Sequence, residues 1–62
     1  MNEQELREIA LRFVGKGYLN HDKLRDSDDL YDATADEKDE CCNYIDEIQE
    51  NGTKAFIAVY GL

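Results

Sequence analysis

"SDDLYDATADEKDECCNYIDEIQEN" occupies Ser27–Asn51, and the fold turns on whether it is coil, a metal loop or one face of a helix. At about 100° per residue, Leu30, Thr34, Cys41, Tyr44, Ile45 and Ile48 share one stripe, which Glu37 interrupts. Asp28, Asp29, Asp32, Asp36, Asp39, Glu40, Asp46, Glu47 and Glu50 collect on the opposite arc. Carboxylates confined to roughly a third of a wheel argue against coil and predict a helix over about 28–50. Ser27 suits the N-cap, Asp28 and Asp29 suit the positive end of the helix dipole, and Asn51-Gly52 is a stop. Thr34 with Glu37 offers a second capping box, so a break there, with the helix starting near Ala35, is the fallback.

On the N-terminal side, Asn2 and Glu5 form a capping-box variant, and Leu6, Ile9, Ala10 and Phe13 follow at helical spacing with Val14 at the margin. A helix over about 3–14 is predicted, closed by Gly15 and Gly17. Leu11 points about 140° from Leu6 and falls off the buried stripe. Between the helices, Tyr18, Leu19 and Leu24 read as anchors, with a short strand at 17–20 or a helical turn at 21–25. On the C-terminal side, "TKAFIAVYGL" follows a turn signal and is rich in β-branched and aromatic residues. A strand over about 54–60 is preferred to a third helix. It would pair with 17–20 or with a second copy of the chain, because an unpaired apolar edge aggregates. The expected fold is therefore α+β: one small acidic domain spanning 1–62, with two antiparallel helices and a C-terminal strand. An all-α helical hairpin or three-helix domain is the alternative.

Sixty-two residues make one domain at most, one that buries only about 60% of the surface its unfolded chain exposes. The net charge is −8. Asp22–Glu40 holds nine acids against three bases and so carries −6; six acids and four bases elsewhere leave −2. Nucleic acid and anionic membranes repel such a chain, whereas a basic partner is steered toward it. Hydrophobic residues make up 42% of the chain, too many for a disordered tail. No N-terminal apolar run reads as a signal peptide, no stretch approaches the roughly 20 apolar residues of a membrane span, and the adjacent Cys41 and Cys42 do not form a disulfide framework. A reducing cytoplasm is the expected compartment.

Chemistry is sparse. Asp26–Glu37 matches an EF-hand loop at its first, third and last positions, but Leu30 and Tyr31 stand where an oxygen ligand and the obligatory glycine belong. Cys41, Cys42 and the single His21 lack structural-zinc spacing. Cys41 reads as a small core residue; Cys42, on a flank, is a candidate for oxidation. "GKG" at 15–17 is a helix terminator without the frame of a phosphate loop. No carboxylate is desolvated relative to another, so nothing separates an acid from a base. No metal, cofactor or catalytic residue is expected.

What remains is the acidic face. On one helix its like-charge pairs at i,i+3 and i,i+4 number seven and destabilise it by roughly 1.5–3.5 kcal/mol. A face kept at that cost suggests a non-enzymatic interaction protein that binds a basic protein through Asp28, Asp29, Asp32, Asp36, Asp39, Glu40, Asp46, Glu47 and Glu50. The rod would span about 34 Å, near one duplex turn, so an inhibitor that mimics DNA, of the phage or mobile-element accessory kind, is one form of this expectation. The alternative is a structural homodimer joined through Leu11, Phe56, Val59 and Tyr60.

Overall fold

The computed structural model describes residues 1–62. Four α-helices follow one another, with no strand: α1 (Glu3–Gly15), α2 (His21–Arg25), α3 (Ala35–Asn51) and α4 (Thr53–Tyr60); a single 3-10 turn, Asp28–Leu30, lies between α2 and α3. The expected α+β fold is thus corrected to all-α.

Local signals account for α1 and α2. Asn2 Oδ1 accepts the Glu5 N–H at 2.8 Å and starts α1. At its end Gly17 takes a φ of 85°, which lets Gly17 N–H reach Val14 O and Tyr18 N–H reach Phe13 O. This is a Schellman closure, and its usual apolar contact is present, with the Phe13 and Tyr18 rings 5.3 Å apart. Asn20 then caps α2 by accepting from Asp22 N at 2.8 Å and Lys23 N at 3.3 Å. Of the two expectations for the connection, the helical turn forms and the strand at 17–20 does not.

The helix expected over 28–50 is broken. Ser27 caps only the 3-10 turn, with Asp29 N–H donating to Ser27 Oγ at 3.2 Å. The capping box then starts α3: Glu37 N–H donates to Thr34 Oγ1 at 3.2 Å, and Thr34 N–H to Glu37 Oε1 at 2.8 Å. Two physical reasons favour the break. Thr34 satisfies the first-turn donors of a new helix, and three of the seven like-charge pairs (Asp28–Asp32, Asp29–Asp32, Asp32–Asp36) no longer sit on a helix. The four that remain cost roughly 0.8–2 kcal/mol before screening. Leu30 is fully buried even so.

The strand expected over 54–60 is α4. A strand at this place would have no partner to satisfy its backbone, whereas a helix satisfies its own. Gly52 at φ 92° turns the chain between α3 and α4, with its N–H on Ile48 O at 2.8 Å. Phe56 and Tyr60, four apart, then share a face; their rings lie 4.8 Å from each other and each 5.8 Å from Tyr44. Burial of Phe56 contributes about 1.5–3 kcal/mol, which outweighs the modest β preference of Ile57 and Val59.

Helix α3 is the hub and packs on α1, α2 and α4. All 12 buried residues form one cluster drawn from the four helices and the 3-10 turn, and none is charged. No helix is long and apolar enough to cross a membrane.

Candidate partner-binding surface

Helix α3 carries six of the nine carboxylates assigned to the acidic face: Asp36, Asp39, Glu40, Asp46, Glu47 and Glu50. Asp28 and Asp29 belong to the 3-10 turn, and Asp32 to the connection before α3. The continuous acidic rod does not exist; the acids occupy a helix and the loop that leads into it.

Neighbouring elements divide the α3 acids into three rows. On one flank α2 supplies basic side chains: Arg25 Nη2 pairs with Asp39, and His21 Nε2 meets Asp46 Oδ1 at 2.7 Å. The hydrogen bond to Asp39 raises the Arg25 pKa. On the other flank hydroxyls donate: Tyr44 OH to Glu40 Oε1 at 3.1 Å, and Tyr60 OH to Glu47 Oε1 and Oε2 at 2.9 and 3.0 Å. The row between them is Asp36, Asn43 and Glu50, all exposed. Asp36 and Glu50 join none of the four ion pairs of the molecule, and neither do Asp22, Asp26, Asp28, Asp29 and Asp32, also exposed.

Within α3 no base lies on the acidic arc, but Arg25 and His21 reach it from an element 14 and 25 residues earlier. No local spacing signals such a pairing. Arg7 was missed for the same reason. Its guanidinium lies 4.2 Å from the Tyr60 ring centre and 5.3 Å from that of Tyr44, and it pairs with Glu3 at 3.1 Å. It thereby holds α1, α3 and α4 together at the two tyrosines that donate to Glu40 and Glu47.

Glu37 interrupts the apolar stripe for a reason now visible. Besides closing the capping box, its Oε2 accepts from the Met1 ammonium at 2.7 Å. That bond first, and then the Thr34 N–H, hold its carboxyl below the usual range.

Both thiols are buried, which corrects the expectation that Cys42 is open to oxidation. Cys41 Sγ donates to Leu6 O at 3.4 Å, and Cys42 Sγ lies 4.0 Å from His21 O. Burial pushes the Cys41 thiol up to about 12 and also raises that of Cys42. No three His, Cys, Asp or Glu side chains converge as a metal site.

The four residues assigned to a dimer contact do not form one patch. Phe56 is 2% exposed and sits in the core, leaving almost no surface for a partner. Val59, 71% exposed, borders a groove of about 340 Å³ between α3 and α4, with Ala55 and Asn51. Leu11 lies across α4 from it, in a groove of about 380 Å³ between α1 and α4. Tyr60 is half-buried and committed to Glu47.

No protein-family model matches this chain, and no curated protein or solved structure shows significant similarity to it.

Proposed function

We propose that the chain is a non-enzymatic binding module whose exposed carboxylates receive a basic protein. The observation that carries this reading is a run of exposed acids that join no ion pair within the chain: Asp22, Asp26, Asp28, Asp29, Asp32 and Asp36, with Glu50 farther along α3. The flank acids Asp39, Asp46, Glu40 and Glu47 serve the fold first and face the partner second. A basic partner would replace like-charge repulsion on this surface with ion pairs, and would be steered to it over a Debye length. Nucleic-acid-binding proteins are one class of such partner. The reading does not rest on matching a duplex in length, because the longest extent of the Cα trace is 27 Å, short of the ~34–36 Å of a duplex turn.

The test is recovery of a partner from host lysate on the immobilised protein, eluted with a salt gradient, with the parent chain beside an Asp28→Lys/Asp32→Lys/Asp36→Lys variant. These three residues hold no ion pair, so the helical circular-dichroism spectrum should be unchanged while capture is lost. Equal capture by the variant at equal salt would remove the acidic surface from the interface.

A further inference from the structure

We propose that the groove between α1 and α4 is the contact face of a two-fold homodimer. Glu8, Leu11, Arg12, Ile57 and Leu62 line it. Its floor is apolar: Leu11 and Leu62 are half-buried against the core, and Ile57 is 37% exposed. Glu8 and Arg12 stand on its rim, four residues apart on one side of α1. Neither enters an ion pair within the chain.

That arrangement is complementary to itself. In an isologous contact, residue i of one copy meets residue j of the other, and j meets i. A two-fold axis running beside α1 at the level of position 10, midway between positions 8 and 12, lays a second α1 antiparallel to the first. It sets Glu8 of each copy against Arg12 of the other and brings the two Leu11 side chains together. The acid–base pair is therefore made twice, around an apolar centre.

The distribution of charge selects the same face. Helix α1 carries Glu3, Glu5 and Glu8 against Arg7 and Arg12, and α4 carries Lys54 alone. Three acids against three bases make the α1–α4 pair neutral in a molecule of net charge −8. Two such molecules repel least when they approach through these helices. Leu11 lies about 140° from the α1 stripe that packs on the core, so the contact leaves the carboxylates of α3 facing outward. The groove on the other side of α4 is different: Glu47 borders it, with Glu50 nearby on α3, so a second copy there would bring carboxylates together.

This inference is independent of the basic-partner reading, because it uses none of the carboxylates assigned to that surface. Sedimentation equilibrium of the full chain, from micromolar to millimolar concentration at moderate salt, is expected to show a monomer–dimer equilibrium. Leu11→Asp should abolish it. Glu8→Arg alone and Arg12→Glu alone should each weaken it by at least about tenfold, since each places like charges opposite one another twice. The double exchange Glu8→Arg/Arg12→Glu should restore it, a result that neither a generic hydrophobic contact nor a misfolded variant would give. A parent chain that stays monomeric throughout overturns the proposal. So does a dimer whose affinity the charge exchanges leave unchanged, or one lost in Val59→Asp instead of Leu11→Asp.

Discussion

Cys41 shows how one small side chain is fixed by its surroundings. It sits at the centre of the α3 stripe, its Sγ turned to the Leu6 carbonyl on α1, with no exposed surface. A thiol whose pKa is pushed up to about 12 is essentially all neutral at physiological pH, and the neutral form is a poor nucleophile. Cys42 is shielded beneath α2. Neither thiol should react with Ellman's reagent in native buffer, and both should react once denaturant is added. Prompt stoichiometric labelling of the native protein would mean that the α1–α3 contact opens far more often than its packing implies. Arg7 is a second case. Its Nε is buried without a hydrogen-bond partner, and what it gains instead is contact with two aromatic faces and the Glu3 carboxylate.

Among the elements, α3 depends most on its first turn. Thr34→Ala removes the cap and should cost about 0.5–2 kcal/mol, a fall in melting temperature of roughly 4–8 °C per kcal/mol for a domain of this size. No loss in a thermal melt would mean that α3 is held by its core face alone. Glu37, the other half of the box, adds a pH dependence whose sign is fixed by its lowered pKa. A carboxyl with a depressed folded-state pKa stabilises the fold fully above its unfolded value and loses that contribution as pH falls through the folded value. The stability gap between the parent and Glu37→Gln should therefore be widest near neutrality and close in acid. A gap that widens on acidification would contradict the bonds to Met1 and Thr34. Helix α4 depends on the opposite kind of support: no side chain caps its start, and Phe56 and Tyr60 anchor it against Tyr44.

At the scale of the whole molecule, net charge and a small core oppose one another. Twelve buried residues must hold a chain of charge −8 together, and a domain this small has a stability of only a few kcal/mol. Arg25 and His21 bond the acids on one flank of α3, but Asp26, Asp28, Asp29, Asp32 and Asp36 join no ion pair. Screening should therefore stabilise the fold. Raising sodium chloride from about 10 to about 150 mM, which shortens the Debye length from about 30 to about 8 Å, should raise the melting temperature. A decrease would show that the ion pairs of α2 with α3 outweigh the repulsion among the unpaired acids. If the two-fold contact forms, both acidic surfaces face outward and a basic partner with two sites gains avidity without any new contact.

Short-range chemistry was legible in the chain. Asn2 and the glycine at 17 bound α1, Thr34 and Glu37 form a capping box, and the phase of Cys41, Tyr44, Ile45 and Ile48 identifies the buried stripe. Each of these signals spans no more than a few turns and acts through bonds between near neighbours. Of the two starts the sequence offers for α3, the local capping box and like-charge repulsion favour Ala35 over Asp28. The tertiary structure alone decided two other matters: that residues 53–60 wind into a helix and do not extend, and which carboxylates meet a basic side chain. Each is a competition between locally similar alternatives. It is settled by what packs against the segment from far along the chain: Tyr44 against Phe56, Arg7 against Tyr60, Arg25 against Asp39.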